Sequence, residues 1–384
     1  MSIEYQAVVQ DQFGNHVTTI SNFADPTDGG GAGLDYILNV SSASSLLLTI
    51  PSYYDLDLFG IDYRILPMRS IHGRSFYNDN QACYLIRKKT ITKGWYRLSA
   101  RHATELCDRR AVAYATGSTF ANKAADNAGD QIKAYVRENL GASVSSADRD
   151  GDDTNVDLVT PGYLRIEADK GDGASVPKTS DRGSMLGVIQ DIANDSTTDG
   201  TYIGFGIIYD VDKVFRFETR ASQWGQNKTA GQPGQVILSP ERGNMGEWKL
   251  EIDHSDEVTV AYAGGRGQND EKIIATAIDT DRMNISPFNR RERYYDAPGA
   301  DTTTTVQAVA DARLREGEPK ITLICDLVET PSCLRGVHFD LGDIVTARVV
   351  VNGHVFETNY RLDTIYQSIR HKKQDTRIIL TSPE

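Results

Sequence analysis

The chain has 384 residues, of which 39% are hydrophobic and 24% charged, an ordinary composition for a globular protein with room for two or three domains. Its formal net charge of −12 argues against broad electrostatic binding to nucleic acid, because such binding requires a basic face. No apolar run approaches the roughly 18 residues of a membrane helix, and the N-terminus has neither a basic start nor an apolar segment. We therefore expect neither a membrane span nor a secretory signal.

The pattern of residues 1–100 is typical of antiparallel β structure. Alternating apolar residues predict a strand from Ile3 to Gln10, and Phe13-Gly14-Asn15 predicts the turn after it. The stretch DPTDGGGAG at 25–33 predicts a flexible loop. Further strands are predicted at 16–20, 36–40, 45–50, 62–69, 83–90 and 95–100. Strands this short need to close on themselves or to pack on something, so we predict a first small β-barrel at 1–100.

Residues 101–160 change to helical patterns followed by an acidic loop. His102–Val112 and the longer stretch Phe120–Leu140 have the apolar spacing of amphipathic helices, and Gly141 is typical of a helix C-terminus. Within the loop, Asp148-x-Asp150-x-Asp152 imitates the start of an EF-hand. Asp153 and Val159 stand where that motif requires Gly and Glu, so a solvated loop is the better prediction.

Residues 161–262 return to a β pattern and predict a β-rich middle domain. One short helix is predicted at 181–193. The predicted strands are at 202–209, 214–218, 235–238, 248–253 and 257–261. We expect these strands to form one antiparallel sheet, because turns of the hairpin kind separate them.

Residues 263–384 are predicted to form a second small β-barrel with a helix near 302–316. The Gly-rich loop at 264–270 lacks Lys and precedes a strand at 272–279, so it predicts a tight bend and not a phosphate site. Threonines at 302–305 can cap the helix, and Gly317 ends it.

The last stretch is the clearest β pattern of the chain. Strands are predicted at 343–351, 354–369 and 375–380, and Asn352-Gly353 between the first two is a strong signal for a type I′ hairpin turn. The fold class expected is therefore α+β with β dominant, in which two small antiparallel β-barrels flank a helical and β-sheet middle section.

No arrangement of residues in the sequence points to catalysis, to a cofactor or to a metal. The histidines are scattered, without metal-binding spacing, at positions 16, 72, 102, 254, 338, 354 and 371. Cys83, Cys107, Cys325 and Cys333 are expected to be free thiols, although Cys325 and Cys333 are spaced so that they could bridge a loop. We predict no catalytic, cofactor-binding or metal-binding residues, and no enzyme activity.

Carboxylate pairs and aromatic pairs leave one alternative of a different class open. A glycosidase needs two carboxylates, and exposed aromatic rings can stack on sugars. The carboxylate pairs are Asp55 with Asp57, Asp191 with Asp195 and Asp279 with Asp281; the aromatic pairs are Tyr53-Tyr54, Trp95-Tyr96 and Tyr294-Tyr295. With 53 acidic residues, chance pairs are expected, and aromatic residues more often serve in cores and interfaces.

Four stretches form a family resemblance through their order and spacing. They are GIDYRI at 60–65 with CYLIR at 83–87, DNAGDQIKAYVREN at 126–139, AGGRGQ at 263–268 with RRERYYDA at 290–297, and FDLGDIV at 339–345. Together they resemble the Gp37-like tail hub proteins of long-tailed bacteriophages, which are related in architecture to the baseplate hubs of contractile tails. Within the last stretch, Gly342 permits a bend or a close backbone approach, and Asp343 can accept hydrogen bonds from backbone amides.

The resemblance implies a structural virion protein. It implies a homotrimer at the tail tip whose six barrels form a pseudo-sixfold ring, joining the sixfold tail tube to tip proteins around the DNA ejection channel. The implied partners are the distal tail or tube protein, the tape-measure protein and tip or fibre proteins, with DNA only in transit. Assembly in the host cytoplasm is implied as well.

Two other functions compete with this hypothesis. The first is a glycan-binding or carbohydrate-degrading tail protein, which needs a groove with two carboxylates or exposed aromatic rings. The second is a spike-type hub of a contractile injection system, in which the spike is expected to be a separate chain.

Overall fold

The computed structural model describes residues 3–23, 33–79, 81–141, 143, 148, 157–179, 182–210, 213–267, 272–297, 300–370 and 373–383. Strands dominate and helices are few, which confirms the predicted β-dominated α+β class. Residues 25–32 of the predicted loop at 25–33, and most of the acidic segment, lie outside the described residues. None of the helices described is both long enough and apolar enough to cross a membrane.

The first hundred residues fold into strands at the places where the alternating pattern predicts them. They are β1 (Ile3–Gln10), β2 (His16–Ile20), β3 (Leu34–Asn39), β4 (Ser45–Pro51), β5 (Arg64–Ile71), β6 (Tyr77–Asn78), β7 (Tyr84–Ile91) and β8 (Trp95–His102). The β1–β2 turn forms as predicted: Gly14 has a φ of 85°, and an Asp11 carboxylate oxygen accepts the Phe13 amide at 2.8 Å.

The middle of the chain combines short strands with two longer helices. The elements are α1 (Glu105–Asp108), β9 (Ala111–Val112), β10 (Asn122–Asn127), α2 (Ala128–Leu140), β11 (Leu164–Ile166), β12 (Ser175–Thr179), β13 (Gly183–Ser184), α3 (Met185–Thr198), β14 (Ile203–Tyr209), β15 (Phe215–Ala221), β16 (Asn227–Lys228), β17 (Ile237–Leu238) and β18 (Met245–Asp253).

The C-terminal part closes with a long β-meander. Its elements are β19 (Val260–Gly264), β20 (Ile274–Ile278), α4 (Thr280–Met283), β21 (Glu292–Asp296), α5 (Thr303–Glu316), β22 (Lys320–Leu327), β23 (Ile344–Val351), β24 (His354–Arg370) and β25 (Lys373–Thr381). Asn352 and Gly353 have φ values of 51° and 83°, as the predicted type I′ turn between β23 and β24 requires.

Two helix predictions were wrong in extent. The helix expected from Phe120 begins only at Ala128, because residues 122–127 are the strand β10, which pairs with β12. The helix expected over 102–112 is a single turn, α1, and β9 after it pairs with β13. In both places a strand partner about 50 to 70 residues further along overrides the local helical spacing.

One large sheet joins the two ends of the chain. Its path runs β18-β22-β25-β24-β3-β4-β8-β7-β5-β1-β2, with β6, β16, β17 and β23 attached beside it. The two ends meet where β24 pairs antiparallel with β3, with Ile369 opposite Leu34 and Thr364 opposite Asn39. The C-terminal meander therefore rests on the N-terminal strands and does not stand alone. The two barrels and the division of the chain into four domains stay predictions.

The prediction of one antiparallel sheet for the middle strands was wrong. β14 and β15 form a separate sheet with β11, which runs parallel to β15. β18 belongs to the large sheet through β22, and β19 forms a third sheet with β20 and β21. Alternation shows which residues of a strand face the core, but it does not show which strand will be the neighbour.

Three clusters of buried side chains hold these layers together. The main core takes residues from both chain ends, including Ala7, Leu48, Leu362 and Ile378. A second core lies where α2 and α3 meet β14 and β15, and includes Ile132, Ile189, Phe205 and Phe217. A third, small cluster lies between α5 and the β19–β20 strands and includes Ala263, Ala275, Val306 and Ala310.

Residues 254–319 form an insertion in the large sheet. The chain leaves that sheet at Asp253 and returns at Lys320, which is the register partner of Asp253 in the β18–β22 pair. Between these two points lie β19, β20, β21, α4 and α5, with the small alanine-rich core. The insertion therefore has a sheet of its own, attached to the large sheet at adjacent positions.

Candidate functional site

The loop that leads into β23 is held by Gly342 and Asp343. Gly342 has a φ of 81°, and a Cβ atom on it would lie 2.5 Å from the Cβ atom of Trp224. One Asp343 carboxylate oxygen accepts the Gln226 amide at 2.5 Å and the other accepts the Asp340 amide at 2.9 Å. The structure confirms both predictions: the backbone approaches a neighbour closely at Gly342, and Asp343 accepts backbone amides. The loop ties the segment around Trp224 to the C-terminal meander.

A buried ionic cluster joins the N-terminal strands to the loop between β22 and β23. Arg69 of β5 forms a 2.5 Å salt bridge with Glu329, and both side chains are at most 5% exposed. Arg335 forms a second salt bridge, 2.9 Å long, with Asp79. Its guanidinium also donates to the Tyr36 hydroxyl at 3.0 Å. These bonds connect residues that are 256 to 299 positions apart in the chain.

The cluster is internally compensated. Arg69 donates to the Arg335 backbone carbonyl at 2.9 Å, so the two arginines are held in one network together with both carboxylates. Burial lowers the pKa of Arg335, but the neighbouring Tyr36 and Asp79 raise it more, and the result stands well above its ordinary value. The guanidinium is therefore a permanent buried cation. Each of the four charges has a partner of opposite sign inside the protein, although the buried Nε atoms of Arg69 and Arg335 have no hydrogen-bond partner among the described residues. The cluster therefore serves structure.

Asp340 lies beside this cluster and titrates unusually. One of its carboxylate oxygens is 3.9 Å from the Arg335 guanidinium. Loss of hydration and the negative charge of Asp79 raise the pKa of Asp340 to about 7, against the lowering influence of Arg335. The same loop also holds Asp343, whose pKa is raised by burial although two amides bind it.

Sequence reasoning missed the ionic cluster. A signal was present in β5, where Arg64 and Arg69 interrupt an apolar strand, and both are buried. A charged residue at an inward position predicts a buried partner. It does not identify that partner, because Glu329 and Arg335 lie more than 250 residues away.

His102 and the four cysteine side chains have structural roles. His102 is buried against the Gln81 carbonyl at 2.6 Å, and burial lowers its pKa to about 4. Burial raises the pKa of the Cys83, Cys107 and Cys325 thiols to about 12 and that of Cys333 to about 11. All four cysteines are free, so Cys325 and Cys333 form no bridge. Among the described residues, no His, Cys, Asp and Glu side chains gather in a group of three that could hold a metal ion.

The carboxylate pairs have local structural roles. Asp55 accepts the Asp57 amide at the start of a short 3-10 turn, and Asp279 caps α4 while it pairs with Arg282 at 2.7 Å. Asp191 and Asp195 share Lys178, at 3.2 Å and 3.9 Å. Each of these carboxylate pairs is thus engaged in a turn, a cap or an ion pair, and this counts against a glycosidase site.

The aromatic pairs differ in exposure. Tyr53 stacks on Tyr54 with ring centroids 4.8 Å apart, and its side chain is largely exposed. The Arg97 guanidinium lies over the Trp95 ring, 4.9 Å from the ring centroid, in a cation–π contact. Tyr294 is exposed on β21, whereas the ring of Tyr295 lies 5.4 Å from the Arg313 guanidinium. The three aromatic pairs lie on separate parts of the fold, so they do not form one surface.

The two loop motifs have no ligand-binding geometry in their described parts. Gly265 and Arg266 donate their amides to the carbonyls of Ile273 and Ala300, at 2.8 Å and 2.7 Å, so these amides are not free for a phosphate. A Cβ atom on Gly265 would lie 2.3 Å from a Val306 side-chain carbon, so this part of the loop packs closely against α5. The tight bend stays a prediction, because residues 268–270 lie outside the described residues. In the EF-hand imitation, Asp150 and Asp152 lie outside the described residues.

Comparison with known sequences gives one family. The profile of the family described as "Siphovirus ReqiPepy6 Gp37-like protein" matches residues 88–380. No curated protein matches the sequence. The match includes the middle region and the C-terminal meander, and it covers most of the chain.

Solved structures of tail proteins share this fold along nearly the whole chain. A tail protein from Neisseria meningitidis MC58 has a TM-score of 0.58 at 13% identity, covering 99% of this chain and 97% of that one. The 43 kDa tail protein of prophage MuSo2 from Shewanella oneidensis has a TM-score of 0.56 at 10% identity, covering 98% of each chain. Prophage tail protein gp18 from Listeria monocytogenes EGD-e has a TM-score of 0.52 at 10% identity, covering 98% and 94%. At such identities the likeness shows the fold.

Proposed function

This chain belongs to the siphovirus Gp37-like family, and from that premise we propose that it is the trimeric hub at the tip of a phage tail. The coarser statement, a structural protein of the phage tail type, rests on the family and on the shared fold. In the proposed hub, three copies surround the channel through which DNA is ejected. Each copy contributes two β units, one from residues 1–100 and one from 263–384, with 101–160 and 161–262 between them.

The observation that carries the proposal is the continuous sheet between the chain ends. β24 pairs with β3 over six register positions, and the buried Arg69–Glu329 and Arg335–Asp79 bridges reinforce the same junction. The two β units of one copy are therefore held in a fixed relation. Three such pairs present six similar units, which is the arrangement needed to join a trimer to a sixfold tube.

A structural role also agrees with the side-chain chemistry. The buried cysteines, His102 and the carboxylate pairs all have partners or surroundings that explain them without a reaction. We therefore propose no enzyme activity. The proposed partners are the tube or distal tail protein, the tape-measure protein and tip or fibre proteins. A channel for DNA is expected to be lined by acidic or neutral side chains, as the net charge of −12 permits.

The oligomeric mass of the purified chain tests the proposal. Sedimentation and native mass spectrometry should give three times the 42.3 kDa chain mass. Cryo-imaging of intact particles should place three copies around the tail axis at the tip. A single copy per particle, or a lumen covered with Lys and Arg, would contradict the hub.

A further inference from the structure

The hairpin between β23 and β24 extends beyond the other strands of the large sheet. β16 and β17 pair with β23 only at residues 344–347, and β25 and β3 pair with β24 only at residues 361–370. Within the described residues, positions 348–351 and 354–357 therefore pair only with each other. We call residues 348–357 the arm.

The arm stands in solvent. All ten residues from 350 to 359 are exposed, although the two strands keep their regular pairing there. A Cβ atom on Gly353, at the tip, would meet no described residue within 4 Å other than its chain neighbours. A two-stranded hairpin is at best marginally stable in water by itself, so a surface that covers the arm would stabilise it.

Apolar side chains lie on both faces of the arm. On the face that continues the main core, Val349 is buried, and Val351 and Phe356 lie at and beyond its end. On the opposite face, Val350 is the register partner of Val355. Apart from Val349, these side chains are between 38% and 53% exposed. The arm therefore carries apolar surface that its own chain does not cover.

The arm has no net charge. Residues 349–356 include no Asp, Glu, Lys or Arg, and His354 is their only titratable side chain. Next to them, Arg348 and Glu357 form a salt bridge 3.2 Å long, so their charges cancel. The whole chain has a net charge of −12, so two copies repel each other on average. The arm is a place where copies can meet without that repulsion.

We propose that the arms of the three copies pack face to face against one another around the threefold axis of the trimer. This inference rests on the proposed hub and names a contact inside it. An element beside a threefold axis contacts one neighbour on each side through two different surfaces. The arm has two such surfaces, with Val350 and Val355 on one face and Val351 and Phe356 on the other.

The lack of charge selects further copies of the arm as the occupant. Edge strands that remain alone in solution are protected by charged side chains or by proline. The tip sequence VVVNGHVF has neither. A charged partner surface would lose hydration against this tip without gaining an ion pair, whereas identical uncharged tips meet without that cost. Neutral arms also agree with a channel lined by acidic or neutral side chains. Where they meet they fill the channel at one level, so they have to separate before DNA passes.

Two cysteines on opposite faces test the packing. The full chain with Val350→Cys and Phe356→Cys should give covalent trimers with a bismaleimide that spans on the order of 10 Å, because packed sheets lie about that far apart. The two positions point to opposite faces, so one arm cannot bridge itself. Each single variant should give at least about tenfold less covalent trimer.

A second pair of cysteines is the matched control. Val350→Cys with Thr276→Cys moves the second thiol to an exposed position of the regular strand β20, away from the arm in the sequence. This pair should also give at least about tenfold less covalent trimer. The four native cysteines are buried and give little background.

Added charge tests the same contact without a cross-linker. Val355→Asp and Val355→Lys should each raise the concentration of half-assembly by at least about tenfold, because either charge would be buried against apolar side chains. Val355 is exposed in the single chain, so folding should not change, and circular dichroism checks this. Thr276→Asp is the control. Stronger assembly with Val355→Lys would mean that the arm lies on an acidic surface of the next copy and would overturn the proposal.

Neutral phosphatidylcholine vesicles test a lipid surface as the other occupant of an apolar tip. The wild-type trimer should not sediment with these vesicles, because its arms are already covered. Wild-type protein that binds the vesicles, together with a Val355→Asp variant that loses this binding but assembles normally, would overturn the arm contact.

The outcomes separate the two proposals. Wild-type trimers whose double-cysteine variant gives no covalent trimer, or that assemble equally well with Val355→Asp, would overturn the arm contact and leave the hub intact. A wild-type chain that sediments as a monomer at all concentrations, and that stands alone in particles, would overturn both. Trimers that cross-link through positions 350 and 356, and that weaken with a charge of either sign at position 355, support both.

Discussion

Gly342 and Gly353 have nearly the same backbone conformation but different surroundings, so we expect a substitution to have different effects at the two positions. Their φ values are 81° and 83°, a left-handed conformation that glycine adopts without strain. A Cβ atom on Gly342 would meet the Trp224 side chain at 2.5 Å, whereas none of the neighbouring atoms lies within 4 Å of a Cβ atom on Gly353. The turn chemistry is visible in the sequence, but the crowding arises only in the folded chain.

The first prediction compares these two glycines. Gly353→Ala should cost about 1–2 kcal/mol of unfolding free energy, the cost of left-handed backbone for a residue with a side chain. Gly342→Ala should cost about 3 kcal/mol or more, because overpacking against Trp224 is added to that strain. Urea unfolding of both variants measures the difference. Equal losses would show that the loop moves freely to accept a methyl group.

The second prediction concerns the titration of Asp340. Its folded pKa of about 7 exceeds the ordinary 3.8, so the folded state retains a proton that the unfolded state has lost. This group therefore makes the protein less stable as the pH rises from about 4 to about 7. Asp340→Asn should remove that part of the slope, as measured by urea unfolding at intervals of pH. Identical slopes in variant and wild type would contradict the raised pKa.

Among the elements, the helix α5 has both its start signal and its end signal within its own segment. Thr302 accepts the Thr305 amide at 3.2 Å, and the Thr305 hydroxyl accepts the Thr302 amide at the same distance, which forms a capping box. The helix begins at Thr303 and ends at Glu316, and its C-cap is Gly317. The sequence prediction placed this helix correctly because all its signals lie within the segment.

The third prediction tests that cap. Thr302→Ala should destabilise the start of α5 by about 1 kcal/mol, because the amides of the first turn lose their acceptor. Amide hydrogen exchange in α5 should then become about fivefold faster. Thr304→Ala is the matched control, since Thr304 is exposed and is not the residue that caps the helix. The same acceleration in both variants would mean that the capping box contributes nothing.

At the scale of the whole molecule, the ionic cluster decides whether the two β ends act as one body. Arg335 reaches Asp79 and Tyr36 from the far end of the chain, and its side chain is 3% exposed. Removing one partner of a buried pair leaves a charge without compensation. Surface pairs are different, because water and salt screen them.

The fourth prediction follows from that contrast. Arg335→Leu should cost about 3–5 kcal/mol, because the Asp79 carboxylate stays buried without its partner. Arg377→Leu, which removes the exposed pair with Asp326, should cost at most about 1 kcal/mol. Thermal and urea unfolding measure both losses. A small effect of Arg335→Leu would mean that the junction of the two ends rests on apolar contacts and strand pairing alone.

The elements that depend on neighbours in the chain follow from the amino-acid sequence alone. The β1–β2 turn, the Asn352-Gly353 hairpin, the α5 cap and the β-dominated class were all predicted correctly. Turn residues and the period of apolar residues act over a few positions, so they can be recognised directly in the sequence. The turn at Gly342 and the capacity of Asp343 to accept amides were predicted from the residue types, but their partners Trp224 and Gln226 were not, because these lie far away in the chain.

The neighbours of each strand and the partners of the buried charges depend on the fold of the whole chain. The pairing of β24 with β3, the strand β10 in place of a helix, and the Arg335–Asp79 bridge all connect distant segments. Local patterns mark a residue as inward or outward but leave its partner open, because many strands satisfy the same alternation. The free energy of packing selects one partner when the whole chain folds, and that selection joins the two ends into the single sheet proposed as one third of a hub.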